Sequence, residues 1–304
     1  MKSTVGGVVA IPATVWIALT TGPALAQTPE VELNHVYVTL SKGTIDAISG
    51  STVLSGQFST PEARTVKSGN ESWTGTYLMG WRAYLELFAP DGAEGYKGGD
   101  SGIGFSVPRP GSGEAVKRRL GAIPGESALS DLRSLQVDEK TSVPWFDDVH
   151  LKSLEEGPFI AWVMDFRPEF VRYRGIQPTD AGLVDRHAYI AARYRTPDRK
   201  QAYEDVFFDD LLEVHLELTA AESATFEKFA TSLGYAASGD QGTRTYRRRT
   251  VSIVVSVVPT PVYRIRKVVC SLRRDAPPKS EHTFGPDARL TLEGRLAVWS
   301  FGGS

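Results

Sequence analysis

Residues 33–40 alternate polar and apolar side chains with the period of a β-strand, and residues 83–88 do the same. Side chains alternate between the two faces of a strand, so the polar residues of each segment share one face. His35 and Tyr37 share such a face in the first segment, and Glu86 lies among the polar residues of the second. If the two polar faces converge, they form a cup with an imidazole and a carboxylate at its floor.

Three parts of the chain repeat a strand pattern followed by a helix pattern. The third repeat is the clearest, with a strand at 213–218 and a helix at 220–233. Thr219 and Glu222 have the spacing of a capping box, and Gly234 suits the helix end. The other two repeats and the further strand candidates lie at 35–48, 102–120, 73–79, 159–164, 251–258, 263–272 and, as a hairpin that turns at 293–294, 289–299. Strand, helix and more strands in repeated order predict an α+β fold of βαβββ-like modules.

The amino terminus has the pattern of a secretory signal. Lys2 is followed by an apolar stretch that ends in Ala24-Leu25-Ala26, which predicts cleavage after Ala26 and a secreted or periplasmic protein. An uncleaved membrane anchor is the alternative. The remaining chain divides by pattern into a paired-module domain at 27–170, a connector or lid at 171–206 and a βαβββ-like domain at 207–304.

Composition excludes several classes of partner. Among 304 residues, 34 Lys and Arg against 36 Asp and Glu give a formal net charge of -2, which does not favour binding to nucleic acid. The single cysteine, Cys270, cannot form an internal disulfide. No stretch after the leader is apolar enough to span a membrane, so stable membrane insertion after cleavage is not expected. The sequence leaves the oligomeric state open.

Four motifs together resemble the vicinal oxygen chelate superfamily, in its glyoxalase-like branch. These are His35 at the start of the first strand and the segments 75–78, 84–87 and 102–107. The resemblance is greatest to secreted bacterial members with no assigned activity. In metal-dependent members, paired βαβββ modules form a cup, and His or Glu side chains from both modules hold a divalent metal. The resemblance therefore implies a zinc, iron, manganese or nickel ion held by His35 and Glu86.

The second module departs from the ligand pattern of that family. Gly102 stands where a second His is usual, and Ala161 stands where a second Glu is usual. Asp165 shares the strand face of Ala161 and is the expected substitute ligand, while His215 is an alternative if the third repeat pairs with the first. Three small residues, Gly102, Gly104 and Ser106, are expected to leave that side of the cup open.

Two functions compete at this cup. In one, His35 and Glu86, with Asp165 or His215, hold a metal for lyase, isomerase or dioxygenase chemistry, with Glu86 moving protons. In the other, which we favour because the second module lacks ligands, the cup binds a small molecule without metal. Its expected walls are Tyr37, Tyr84, Phe88, Phe105 and Trp162. The buried carboxylate of Glu86 needs a partner, for which a metal, His35 and Arg82 are the candidates.

Overall fold

The computed structural model describes residues 30–194, 197–276 and 278–303. The predicted leader at 1–26 lies outside the described residues. Within them the chain forms sixteen strands: β1 (Glu32–Thr39), β2 (Pro61–Ser68), β3 (Glu71–Met79), β4 (Tyr84–Phe88), β5 (Ser101–Ser106), β6 (Ala128–Gln136), β7 (Ser142–Leu151), β8 (Phe159–Phe166), β9 (Phe208–Leu218), β10 (Ala236–Gly239), β11 (Thr243–Arg248), β12 (Val251–Val257), β13 (Ile265–Leu272), β14 (Ser280–Phe284), β15 (Ala288–Glu293) and β16 (Leu296–Phe301). Seven α-helices accompany them: α1 (Lys42–Ser49), α2 (Thr52–Gln57), α3 (Gly113–Gly121), α4 (Pro168–Tyr173), α5 (Arg186–Ala191), α6 (Pro197–Glu204) and α7 (Ala220–Ser232).

The first eight strands form one sheet in the order β2-β3-β4-β1-β5-β8-β7-β6. In each half, the first strand is followed by helical structure and pairs in parallel with the last strand, as β1 does with β4 and β5 with β8. The two first strands pair antiparallel at the centre of the sheet. The prediction of an α+β fold built from repeated βαβββ modules is confirmed.

The last eight strands repeat the same order in a second sheet, β10-β11-β12-β9-β13-β16-β15-β14. Its first half, β9 to β12, contains α7 and has the parallel pairing of β9 with β12. Its second half has no helix after β13 within the described residues, and β13 pairs antiparallel with β16. A parallel pair needs a long crossover connection, so the missing helix accounts for the reversed strand direction.

Two local predictions in this second sheet are confirmed. Helix α7 begins after Thr219, whose hydroxyl accepts from the backbone N–H of Glu222, while the Glu222 carboxylate accepts from the backbone N–H of Thr219. The tail forms the predicted hairpin, with β15 ending at Glu293 and β16 pairing antiparallel with it.

One continuous core joins the two sheets. Phe105 of β5 lies 5.8 Å from Phe229 of α7 between ring centres, and Phe159 of β8 lies 5.6 Å from Phe226. The connector is tied to both sheets by Arg186, which donates to the carbonyl of Leu33 and pairs with Asp210. Since the two sheets pack in one core, this packing does not mark where one domain ends and the next begins. The domain boundaries at 171 and 207 therefore stay a prediction. None of the described helices has the length and apolar character needed to cross a bilayer.

Candidate functional site

The concave face of the first sheet encloses a cavity of about 160 Å³. The sheet curls until its edge strands, β2 and β6, come into contact. Arg133 of β6 helps to close the rim, because it donates to Glu71 of β3 at 2.8 Å and lies 3.5 Å from Asp148 of β7. The side chains that line the cavity are His35, Tyr37, Glu71, Trp73, Tyr84, Glu86, Phe88, Tyr96, Arg133, Trp145, Phe146, Asp148, Ile160, Trp162 and Met164.

His35 and Glu86 both line this cavity, as the strand alternation predicts. The His35 ring is only 3% exposed, stacks on Tyr84 at 4.4 Å between ring centres and meets the edge of Trp162 at 5.2 Å. Burial, with a smaller contribution from the nearby Arg193 guanidinium, lowers the pKa of His35 to about 3. The imidazole is therefore neutral throughout the physiological pH range.

The glycines of β5 make room for these rings. A Cβ atom at Gly104 would overlap the His35 ring, with Nδ1 only 2.8 Å away, and one at Gly102 would lie 2.9 Å from the Trp162 indole. Ser106 is bonded to the side-chain amide of Asn34. The expectation that these small residues leave one side of the cup open is therefore wrong, because neighbouring side chains fill the space.

Glu86 has no hydrogen-bond or ion-pair partner among the described residues. Its expected alternative partner, Arg82, pairs instead with Asp209 at 3.5 Å. Burial raises the pKa of Glu86 to about 8, and the positive charges of Arg193 and Arg64 oppose this rise without cancelling it. At neutral pH the Glu86 carboxyl is therefore protonated in most protein molecules that have no ligand in the cavity.

Aromatic rings form most of the wall around Glu86. Tyr37 stacks on Tyr96 at 5.5 Å and meets Phe88 edge-on at 5.7 Å. Of the five walls expected from the sequence, Tyr37, Tyr84, Phe88 and Trp162 line the cavity. Sequence reasoning missed Trp73, Tyr96, Trp145, Phe146 and Met164. Trp145 is one of these lining residues, and its indole N–H has no hydrogen-bond partner in the described chain.

Asp165 does not face the cup. On β8 the side chains of Ile160, Trp162 and Met164 line the cavity, so Ala161 and Asp165 project from the opposite face. The Asp165 carboxylate accepts hydrogen bonds from the backbone N–H groups of Gly111 and Gly113, both at 2.8 Å. It holds the start of α3, and the expectation that it completes a metal site with His35 and Glu86 is wrong.

Two further expected site residues lie elsewhere. Phe105 is fully buried on the other face of β5, in the core between the sheets, where it contacts Phe229 and Tyr235. His215 lies on β9 of the second sheet and pairs with Glu213, which also pairs with Lys267. Neither residue lines the cup, so the expected roles of Phe105 as a wall and His215 as its ligand are wrong.

A group of three metal-competent side chains lies beyond the cavity on the second module. Among the described residues, Asp131, His150 and Glu155 form the one set of three His, Cys, Asp or Glu side chains whose ligand atoms all lie within 4.8 Å of one another. Sequence reasoning did not single out His150 as a site residue. The missed signal is the Asp148-x-His150 spacing, which puts both side chains on one face of a strand.

A larger cavity of about 500 Å³ lies between β2 and the connector. Its acidic wall residue, Glu62, accepts a hydrogen bond from Tyr194 at 2.6 Å and pairs with Arg64 at 3.3 Å. A binding site needs polar groups that can form hydrogen bonds or ion pairs with a ligand. Glu62 already has such partners within the protein, whereas Glu86 has none among the described residues, so the smaller cup is the better candidate site.

Comparison with known proteins identifies a family without giving an activity. Among solved structures, a hypothetical protein from Staphylococcus aureus is similar with a TM-score of 0.44 and 10% identity, over 75% of this chain and 86% of that one. A xylose isomerase-like TIM barrel/4-hydroxyphenylpyruvate dioxygenase fusion protein is similar with a TM-score of 0.40 and 12% identity, over 77% of this chain and 34% of that one. No curated protein matches the sequence. The profile of a family of unknown function (DUF5829) matches residues 33–301, and the chain belongs to that family.

Proposed function

We propose that the cup of the first sheet binds a small organic cation, namely a protonated amine on an apolar body. The observation that carries this proposal is the carboxyl group of Glu86, which faces the cavity without a partner among the described residues. An acid that is largely desolvated and has no partner loses free energy on ionisation. A ligand that brings a positive charge to Glu86 removes that penalty, so it is favoured over neutral or anionic ligands of the same shape.

The walls suit the same ligand class. Aromatic rings attract a cation to their faces, and the attraction grows when water is excluded. Tyr37, Tyr96 and Trp162 offer such rings around the carboxyl group. The neutral His35 adds no repelling charge. A volume of about 160 Å³ holds a molecule about the size of one substituted benzene ring.

Binding by this mechanism is coupled to proton release. At neutral pH the empty cup holds Glu86 largely protonated, since its pKa is about 8. An ammonium group beside the carboxyl lowers that pKa, so Glu86 loses a proton when the ligand enters. Arg193 and Arg64 already favour the ionised carboxylate, although burial outweighs them in the empty protein.

The test uses three probes that share a ring and differ in charge: benzylamine, benzyl alcohol and benzoate. Calorimetric titration at pH 7 is expected to give saturable binding of benzylamine, with benzyl alcohol and benzoate at least about tenfold weaker because they cannot neutralise the carboxylate. Glu86→Gln is expected to abolish the preference for the amine. Glu62→Gln, in the larger cavity, is the matched control and should leave it unchanged. Equal affinity for all three probes, or an amine preference that survives in Glu86→Gln, would contradict the proposal.

The wider architecture supports a distant relationship to the vicinal oxygen chelate fold, and we propose the relationship on the topology of paired βαβββ modules. A metal held by His35 and Glu86 is the alternative function that the resemblance implies. Two protein ligands rarely hold a catalytic ion, and the described residues supply no third one with them, since Asp165 and His215 lie elsewhere. We therefore favour ligand binding over metal chemistry at this floor. Export, inferred from Ala24-Leu25-Ala26, remains part of the proposal.

A further inference from the structure

We infer that Asp131, His150 and Glu155 form a second site, separate from the floor of the cup, that binds one divalent transition-metal ion, with zinc preferred. The three residues come from β6, β7 and the segment before β8. Their ligand atoms lie within 4.8 Å of one another. Four-coordinate zinc with bonds of about 2.0–2.1 Å needs separations of roughly 3.3 Å. The carboxylates of Asp131 and Glu155 are exposed, so small movements of these side chains can bring the ligand atoms to the separations that zinc needs.

The independent observation at this site is the state of His150. The residue is only 4% exposed, and its Nε2 atom is buried with no hydrogen-bond partner among the described residues. A carboxylate oxygen of Glu155 lies 3.8 Å from that nitrogen, beyond hydrogen-bond distance. A buried ring nitrogen without a hydrogen-bond partner is unusual in a folded protein, and a metal ion would satisfy it together with the carboxylates of Asp131 and Glu155.

The other ring nitrogen of His150 is already held as metal ligands usually are. Nδ1 lies 3.2 Å from a carboxylate oxygen of Asp148. A carboxylate in this place fixes the tautomer and orientation of the ring and raises the affinity of the opposite nitrogen for a metal. Because Asp148 also lines the cup, the metal site would adjoin the ligand cavity.

The local charge also favours a dication. Asp131, Asp148 and Glu155 bring three carboxylates around one imidazole. Arg133 lies 3.5 Å from Asp148 and offsets one of these charges. The carboxylate charge that remains is balanced by one divalent cation, which binds the unprotonated form of His150. The mixed nitrogen and oxygen donor set suits zinc, and it leaves a coordination position open for water or a ligand.

The experiment titrates tag-free, chelator-treated full-length protein with zinc sulfate alone, by calorimetry. One equivalent is expected to bind, and Asp131→Asn and Glu155→Gln should each weaken binding at least about tenfold. These two exposed residues can be changed without disturbing the core. Glu139→Gln, an exposed glutamate in the bend between β6 and β7, is the matched control and should bind as the unchanged protein does.

Cobalt supplies a second readout that reports the ligands directly. Substitution by Co²⁺ is expected to give the visible absorption of a four-coordinate nitrogen and oxygen site, which His150→Gln should remove. The proposal is overturned if no saturable equivalent binds, or if binding is the same in Asp131→Asn, Glu155→Gln and the unchanged protein, which would place the metal at other histidines. Benzylamine binding in the cup is measured separately, so failure of either proposal leaves the other standing.

Discussion

Replacing Glu86 by Gln is expected to change how stability depends on pH, because the pKa of this carboxyl differs between the folded and unfolded states. The folded pKa is about 8, against 4.5 for an ordinary glutamate. Between these pH values the folded state binds a proton that the unfolded state has released. The free energy of unfolding therefore falls as pH rises through this window. Glu86→Gln removes that loss, so the variant should gain stability relative to the unchanged protein as pH rises.

The size of the effect follows from the shift in pKa. A shift from 4.5 to about 8 corresponds to about 5 kcal/mol at about 1.4 kcal/mol per unit. That value is an upper bound, since water in the cavity can reach the partly exposed carboxyl and reduce the penalty. Urea unfolding of both proteins at intervals from pH 4.5 to 8.5 measures the difference, and the denaturant slope should stay the same.

His35 provides an internal control with the opposite sign. Its folded pKa is about 3, below the ordinary value of 6.5, so the unfolded state binds more protons between these pH values. The contribution of a neutral, buried His35 to stability is lost as pH falls from 6.5 towards 3. In His35→Gln the loss of stability between pH 6.5 and 3 should be smaller than in the unchanged protein. The decrease in stability above pH 6.5, which comes from Glu86, should remain. Parallel stability curves for Glu86→Gln and the unchanged protein from pH 5 to 8 would refute the reasoning, since Glu86 would then be ionised and satisfied.

Substitutions at Gly104, Arg186 and Thr219 test three separate interactions of the fold by urea unfolding. Gly104→Ala should lower the free energy of unfolding by about 1–3 kcal/mol because its Cβ overlaps the His35 ring, while Gly56→Ala, which meets nothing within 4 Å, should be neutral or slightly stabilising; equal effects would argue against the close approach. Arg186→Met should cost about 3 kcal/mol, because it leaves a largely buried carboxylate unpaired, and a loss below about 1 kcal/mol would mean that this bridge is solvated. Thr219→Ala should cost about 1 kcal/mol through loss of the α7 cap, which Thr219→Ser should largely restore.

The sequence located the floor of the cup because polar and apolar side chains alternate in β1 from His35 onwards and in most of β4. His35 and Glu86 could be placed on converging faces from that pattern alone. The same reasoning failed on β5 and β8, which are covered on both faces and are apolar throughout much of their length. On such strands nothing in the sequence tells which face a residue takes, and an error of one position moves Phe105 or Asp165 to the wrong side.

The acidic group around His150 was missed for a different reason. Strands β6 and β7 contain Asp, Ser, Arg and Pro at positions where an isolated strand pattern requires β-branched or aromatic residues. They form strands here because each pairs with a neighbour in the curled sheet, and the sequence does not show that pairing. Contacts between Asp131 and His150 therefore depend on tertiary structure, and only the fold reveals them.

The most direct test of the ligand site uses the tryptophan side chains as reporters. Trp73, Trp145 and Trp162 line the cup, whereas Trp299 is buried in the second sheet. Trp81 stacks against the wall of the larger cavity. In a nitrogen-15 correlation spectrum, with indole signals assigned by Trp→Phe variants, benzylamine is predicted to shift the three cup signals and to leave those of Trp81 and Trp299 in place. Shifts confined to Trp81, or no shifts at saturating benzylamine, would contradict the claim that the cup is the binding site.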